Sequence, residues 1–265
     1  MNKYIENLKQ TKKSSIVVYL ILRGLVILCM ILQILRGDWN NAFLCLLSLV
    51  LFTVPGFIEA KLKIELPDLL EIIIYLFIFS AEILGEINNF YAMIPYWDTI
   101  LHTLNGFLAA GIGFALVEIL NENSKNINLS PLFIAIVAFS FSMTIGVLWE
   151  FIEYGMDKNF YYDMQKDKVI TSISSVTFDE TRSNKSVTVG DIEKTEIYSK
   201  NSDGTTTVTT IDGGYLDIGL NDTMKDLLVN FVGAVTFSIL GGIYITNKSK
   251  FSFVTNFIPT KLKET

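Results

Sequence analysis

Hydrophobic residues along the chain are gathered into long runs separated by polar stretches. Each run is about twenty residues long, which is the length that an α-helix needs to cross about 30 Å of hydrocarbon. The six runs cover residues 15–35, 41–60, 66–87, 98–120, 131–154 and 224–246. This pattern predicts an all-α integral membrane bundle of about six transmembrane helices.

The stretch between the last two runs, residues 157–221, has a different pattern. Segments 169–178 and 205–211 alternate β-branched with polar residues, which is typical of half-buried strands. Residues 201–204, Asn-Ser-Asp-Gly, favour a hairpin turn between two such segments. We therefore predict a small antiparallel β-rich extracytoplasmic insertion of three or four strands. The chain would then divide into residues 1–156, 157–221 and 222–265.

Composition supports lipid as the solvent of the helices. The 265 residues are 51% hydrophobic and 18% charged, with a mean hydropathy of +0.43, whereas soluble domains are about a quarter charged. The net charge of -6 and the lack of a basic stripe exclude a nucleic-acid partner. Cys29 and Cys45 lie inside apolar runs and are predicted to be small buried hydrophobic residues.

The distribution of Lys and Arg predicts the orientation in the membrane. The N-terminal tail, the second and fourth loops and the C-terminal tail hold most of the loop Lys residues, while the opposite short loops hold only Arg36. Under the positive-inside rule, both termini are cytoplasmic and the insertion faces outward. The first run exceeds a signal-peptide core and lacks a small-residue cleavage site, so we expect it to be a permanent span in the cell membrane.

Several polar residues lie at the ends of the predicted spans, although a charge at the bilayer centre costs about 2.5–3.5 kcal/mol on insertion scales. Within each set the spacing of three or four residues places the side chains near one helix face. Spans three and five end outside and spans four and six begin outside, so all four sets are predicted at one depth near the outer interface. The sets are Glu82 and Glu86; Asp98 and His102; Glu150 and Glu153; and Asp222, Asp226 and Asn230.

Crowded carboxylates repel one another, so some must be protonated, paired or bound to a cation. Oxygen ligands with one imidazole suit a divalent ion such as Mg²⁺, Mn²⁺, Ca²⁺ or Zn²⁺. The alternative is structural: acids at span ends reach interfacial water, and Asp98 or Asp222 can cap a helix. Glu71 and Glu118 lie toward the inner side and are interpreted as structural.

Three motifs follow one another along the chain: Asp98-x-x-x-His102, then Trp149-Glu150-x-x-Glu153, then Asp222-x-x-x-Asp226-x-x-x-Asn230-x-x-Gly233. Together and in this order they resemble the motifs of the YjdF-type bacterial membrane proteins. The sequence is similar, more loosely, to VanZ-like proteins, in which Gln stands at the position of Glu153. The resemblance covers residues 66–155 and 220–245. It implies a multi-pass membrane protein and, through the VanZ-like similarity, a link to the cell envelope.

The leading hypothesis is a metal-assisted enzyme that acts on a lipid-linked or cell-envelope substrate at the outer leaflet. Asn230 would orient a ligand or a substrate oxygen in this enzyme. Either Glu150 or Glu153 would be the general base. The predicted metal ligands are Asp98, His102, Asp222 and Asp226.

Two other classes stay open. In a transporter or ion-coupled protein the acids would form a proton or cation relay. In a structural or sensory protein they would hold the bundle together while the external β-rich insertion binds a partner. Nucleophile elbows, phosphate-cradling glycine loops and lipid-phosphatase histidine signatures are absent from the sequence, so those enzyme classes are excluded.

Overall fold

The computed structural model describes residues 13–123 and 129–261. Helices make up most of these residues. They are α1 (Lys13–Arg36), α2 (Trp39–Leu51), α3 (Val54–Leu62), α4 (Asp68–Ile78), α5 (Phe90–Met93), α6 (Trp97–Asn123), α7 (Pro131–Phe160) and α8 (Leu220–Thr246). A π-helix, Phe79–Ile87, continues α4, and short 3₁₀ helices span Val176–Phe178 and Ser252–Phe257.

Five helical stretches of the described chain are long and apolar enough to cross a membrane. They are Ser14–Arg36, Trp39–Lys61, Trp97–Asn121, Pro131–Phe160 and Leu220–Thr246. They match the first, second, fourth, fifth and sixth predicted runs. The third run forms α4 and the π-helix, whose apolar sequence is interrupted by Asp68, Glu71, Glu82 and Glu86. The count of six spans therefore stays a prediction.

The described chain falls into two compact units. The first contains the residues up to Val147 together with those from Asp226 onward, and the second contains Leu148–Lys225. Helices α7 and α8 each contribute to both units.

In the first unit, α6 and α8 lie side by side and run in the same direction. Gly106 contacts the backbone of Asn230, and further along both helices Phe114 packs on Gly241. Phe114 is fully buried in a core with residues of α7 and of the C-terminal segment. The other fully or nearly fully buried members are Ala110, Ala115, Ile134, Ala138, Phe237, Val254 and Ile258.

A second core of the first unit lies between α1, α2 and α4. Val26, Cys45 and Phe52 are almost fully buried there, and Cys29 packs against them. Both cysteines are free thiols; Cys45 is buried as predicted, while Cys29 is half-buried. A short antiparallel pair, β1 (Ile64–Glu65) with β8 (Thr260–Lys261), joins the loop after α3 to the C-terminal segment.

The second unit contains the β-rich insertion. Its strands are antiparallel, as predicted, but six short strands pair in twos where three or four were expected. The pairs are β2 (Lys168–Ile170) with β7 (Tyr215–Asp217), β3 (Ile173–Ser175) with β4 (Val187–Val189), and β5 (Lys194–Lys200) with β6 (Thr206–Asp212). Most strands are three residues long because turns interrupt the alternating pattern. The predicted hairpin turn is present: the Gly204 N–H donates to the Asn201 carbonyl at 3.0 Å, and Gly204 has a φ of +84°.

A loop of the insertion is organised around one carboxylate. Asp179 accepts hydrogen bonds from the backbone N–H groups of Thr181 (3.0 Å), Ser183 (2.7 Å) and Lys185 (3.2 Å) and from the Thr181 and Ser183 hydroxyls. The Thr181 hydroxyl, the Lys185 N–H and the Ser183 hydroxyl hold the pKa of the Asp179 carboxyl well below its usual range.

Candidate metal centre

Three of the predicted ligands meet in the first unit. Asp98 lies in the first turn of α6, His102 follows one turn later, and Asp226 lies in the second turn of α8. The parallel contact of the two helices brings these turns together. One oxygen of each carboxylate and one nitrogen of the imidazole lie within 4.8 Å of one another.

The distances fit either a coordinated ion or a hydrogen-bonded pair. His102 Nε2 lies 3.2 Å from Asp98 Oδ1. Two ligands held about 2.1 Å from a tetrahedral metal are separated by about 3.4 Å, so these two atoms need little movement to share an ion. Asp226 offers its carboxylate oxygen within 4.8 Å of both atoms.

Burial decreases from Asp226 toward the start of α6. Asp226 is 1% exposed, while the side chains of His102 and Asp98 are 12% and 24% exposed. A buried carboxylate is costly unless it is paired or coordinates a metal. The cluster therefore has a deeply buried member and a partly open side.

Asn230 lies one turn after Asp226 and is held between helices. Its side-chain oxygen accepts a hydrogen bond from Asn105 Nδ2 at 3.1 Å, and its Nδ2 lies 3.7 Å from Met143 Sδ. Gly146 of α7 leaves room for this amide, because a Cβ on Gly146 would lie 2.6 Å from Asn230 Nδ2. The sequence pattern singled out Asn230 but missed Asn105, which follows His102 by three residues on the same face of α6.

Asp222 has partners of its own in the second unit. Its carboxylate accepts hydrogen bonds from the Lys166 backbone N–H at 2.9 Å and from Lys168 Nζ at 3.0 Å. Lys225 Nζ lies 4.0 Å away. Among the described residues, the close group contains Asp98, His102 and Asp226, and the role of Asp222 as a metal ligand stays a prediction. One oxygen of Asp222, Oδ1, contacts the Lys168 ammonium of the insertion, and the other, Oδ2, accepts from the Lys166 backbone N–H.

The two predicted general bases lie on the part of α7 that belongs to the second unit. Glu150 is 4% exposed and Glu153 is 7% exposed. Glu153 Oε1 accepts a hydrogen bond from Trp149 Nε1 at 2.7 Å. Both acids are therefore sheltered from solvent, and the Trp149-Glu150-x-x-Glu153 motif forms a hydrogen-bonded pair within itself.

Glu82 and Glu86 lie on the π-helix that follows α4. Segments of π-helix are rare and frequently occur at functional sites. Trp97 Nε1, at the start of α6, donates to the Ser80 carbonyl at 3.3 Å and so connects this segment to the turn that carries Asp98. Glu82 is half-buried and Glu86 is exposed. Spacing alone gave no sign of the π-helix.

An apolar cavity of about 370 Å³ lies beside the same turn of α6. Trp97 stands next to Asp98 in the chain, and Leu101 next to His102, so the cavity and the cluster share this part of the helix. Ile100 is 57% exposed, so the cavity is bordered by apolar surface. The lining residues are Ile73, Leu76, Phe77, Ser80, Trp97, Ile100, Leu101 and Leu104.

Comparison with known proteins identifies a family of integral membrane proteins. The family model described as "Predicted membrane protein (DUF2238)" matches residues 16–247, so the chain belongs to this family. An uncharacterized protein of Thermotoga maritima is 31% identical over 94 residues, which is 36% of this chain and 47% of that relative. The chain thus aligns with about half of the relative's length. No solved structure matches. The matched family carries neither the YjdF nor the VanZ-like name, so those resemblances stay predictions.

Proposed function

We propose that this member of the DUF2238 family is a metal-assisted enzyme that acts on a lipid-linked or cell-envelope substrate at the outer leaflet. The observation that carries the proposal is the meeting of Asp98, His102 and Asp226 within 4.8 Å at the starts of two parallel membrane helices. Three protein ligands leave coordination positions for water and for a substrate oxygen, as in catalytic metal sites.

The ligand set favours a transition-metal ion that accepts both imidazole and carboxylate ligands. Ca²⁺ takes six to eight oxygen ligands, and Mg²⁺ prefers an octahedron of oxygens. Two carboxylates and one imidazole suit Zn²⁺ or Mn²⁺ better. Zn²⁺ and Mn²⁺ are therefore the first ions to test, with Mg²⁺ and Ca²⁺ as comparisons.

The remaining roles follow from the predicted positions of the polar residues. Asp98, His102 and Asp226 would hold the ion, which would supply activation of a water, and a carboxylate would act as the general base. We assign the base to Glu150 or Glu153, whose burial shelters the carboxylate from bulk solvent. Asn230 lies one turn after Asp226, and its hydrogen bond with Asn105 fixes the first turns of α8 against α6. Its proposed role is to orient a ligand oxygen.

The surroundings of the cluster support a lipid-linked substrate. The apolar cavity beside Trp97 and Leu101 has the volume of a small-ligand pocket and matches the chemistry of an acyl or prenyl chain. A substrate whose polar head binds at the cluster would place its hydrocarbon chain in this cavity, along α6.

The proposal is tested by the metal content of the purified protein. Wild type reconstituted with Zn²⁺ or Mn²⁺ and then desalted is expected to retain about one ion per chain, while His102→Ala and Asp226→Ala retain none. Glu118→Gln is the matched control. Glu118 is an acid of the same helix, roughly 24 Å from His102 at 1.5 Å per residue, and its Oε1 pairs with Lys248 Nζ at 3.2 Å.

Thermal unfolding of each variant must be recorded alongside, so that loss of metal is not confused with loss of fold. Unchanged metal content in both alanine variants overturns the proposal. If Glu118→Gln loses metal as well as the two alanine variants, the ions bind non-specifically to acidic residues, and the proposal is also overturned.

A structural role for the cluster is the second candidate, and it is favoured by the 3.2 Å contact of His102 Nε2 with Asp98 Oδ1. This contact is close to hydrogen-bonding distance within one turn of α6. In that role, His102→Ala lowers the unfolding temperature whether or not divalent ions are present. If the cluster is a metal site, added Zn²⁺ or Mn²⁺ raises the unfolding temperature of wild type and does not change that of His102→Ala.

A further inference from the structure

Arg23 lies deep within the first apolar helix. It is roughly 15 Å from Lys13 along α1, a helix that is otherwise strongly hydrophobic. An arginine at the centre of a transmembrane helix costs about 2.5–3.5 kcal/mol on insertion scales, and such residues mark functional contacts by default. The metal-site proposal makes no use of Arg23.

The guanidinium group has one polar partner in the part of the chain that the structure describes. Nη1 donates a hydrogen bond to the Tyr19 hydroxyl oxygen, and the guanidinium carbon lies 5.5 Å from the centre of the Tyr19 ring. No carboxylate of residues 13–123 or 129–261 lies within ion-pair distance of it. A guanidinium carries five N–H donors. Most of them are therefore available to an anion.

The helix surface around Arg23 suits close contact with another helix. Leu20 and Ile27, at the preceding and following turns, are 60% and 39% exposed. Gly24 lies beside Arg23, and a Cβ there would meet no atom within 4 Å. Small residues allow helix backbones to approach closely in lipid. Only 17% of the most apolar part of this span is buried inside the structure.

We propose that the Arg23 face, formed by Leu20, Arg23, Gly24 and Ile27, docks a transmembrane helix of a partner protein that carries a carboxylate at the depth of Arg23. Charge complementarity selects this occupant, because a cation in hydrocarbon is stabilised by an opposite charge. A second copy docked through the same face brings Arg23 against Arg23. Lipid phosphates lie at the membrane surface, outside the hydrocarbon in which Arg23 is placed.

Synthetic transmembrane peptides serve as the probe. A Leu/Ala peptide with one Asp at its centre is compared with the same peptide carrying Asn, and with one carrying the Asp two turns away. Association with the full-length protein is measured by energy transfer in phosphatidylcholine vesicles at pH 8. The central-Asp peptide is expected to bind wild type about tenfold more tightly than the Asn peptide.

Two variants and one control decide the assignment. Arg23→Gln is expected to abolish the preference for Asp, and Gly24→Leu to weaken binding of both central peptides by blocking close approach. Arg36→Gln, at the end of the same helix, is expected to behave as wild type. Equal binding of the Asp and Asn peptides to wild type overturns the proposal, as does a preference that survives Arg23→Gln.

The competing occupants give distinct results. If Arg23 binds lipid phosphate, replacing a fifth of the phosphatidylcholine with phosphatidylglycerol stabilises wild type but not Arg23→Gln, and no peptide is preferred. If the face joins two copies of this chain, energy transfer between labelled copies falls in Gly24→Leu without any added peptide. Either result, in the absence of a preference for the central Asp, contradicts the proposal.

Discussion

Gly106 of α6 lies against Asn230 of α8 so closely that a Cβ on Gly106 would be 2.1 Å from the Asn230 carbonyl oxygen. One turn later the relationship is reciprocal, because a Cβ on Gly233 would be 2.0 Å from the Thr103 carbonyl oxygen. These two glycines let the backbones of the two helices touch. The same approach places His102 and Asp226 within reach of one ion.

Replacing either glycine by alanine should therefore destabilise the protein and disturb the cluster. Because backbone has to move to make room, we expect Gly106→Ala and Gly233→Ala each to lower the free energy of unfolding by about 1–3 kcal/mol. Thermal unfolding in detergent, with Zn²⁺ retention measured in parallel, checks this. Gly56→Ala is the control, since a Cβ there meets no atom within 4 Å and alanine is the better helix former. An unfolding temperature for Gly106→Ala that equals that of Gly56→Ala would contradict the close contact.

The hydrogen bond between Asn105 and Asn230 is expected to couple α6 to α8. Interhelical hydrogen bonds in membranes contribute about 0.6 kcal/mol on average and up to about 2 kcal/mol. A double-mutant cycle with Asn105→Ala, Asn230→Ala and the double variant should give a coupling energy in this range, from unfolding in mixed micelles. Strict additivity of the two single variants would mean that the amides do not depend on each other.

Asp222 should behave as an anchor of the insertion. Its carboxylate holds the Lys166 N–H and the Lys168 ammonium, so Asp222→Asn removes a charge-assisted hydrogen bond. We expect faster proteolysis within residues 163–170 in this variant and an unchanged metal content. Lys168→Met, which removes the cation and keeps an apolar chain, should give the same proteolysis. If Asp222→Asn loses metal while Lys168→Met keeps it, Asp222 is a metal ligand.

The Asp179 loop should be insensitive to pH until strong acid is reached. Its hydrogen bonds lower the pKa of the Asp179 carboxyl in the folded state, so their stabilisation is fully present above the unfolded value of about 3.9. The stabilisation is then lost as the pH falls from that value toward the lower folded pKa. Carbon NMR of labelled Asp carboxyls in micelles should show Asp179 titrating below the exposed aspartates. In the control Asp179→Asn, NMR signals of residues 179–185 should not change over the acid range in which Asp179 titrates. Titration of Asp179 near its unfolded pKa of about 3.9 would refute the prediction.

The sequence predicts those features of the fold that depend on the length of apolar runs and on the spacing of residues along a helix. Runs of twenty apolar residues located five of the span candidates, because helix length follows from bilayer thickness. The pairing of Asp98 with His102 and their meeting with Asp226 followed from helix spacing and from the expected orientation of the spans. Both inferences depend on distances along helices, which sequence spacing encodes.

Contacts between segments that are far apart in the chain cannot be predicted from sequence spacing alone. Nothing in the spacing of Asp222 indicated that Lys166 and Lys168 would bind it, because strand pairing in the insertion brings them there. The π-helix after α4 arises from local backbone geometry that apolar patterning does not register. Apolar patterning also gives no sign of Arg23, because a single charge barely lowers the mean hydropathy of a long apolar helix.

The parallel pairing of α6 and α8 has a consequence for the order of assembly. His102 and Asp226 are separated by more than a hundred residues, with α7 and the whole insertion between them. A nascent chain that has already placed α6 in the bilayer still lacks the carboxylate contributed by α8. The three side chains can meet only after α8 has been inserted beside α6, so the cluster forms late in the insertion of the membrane helices.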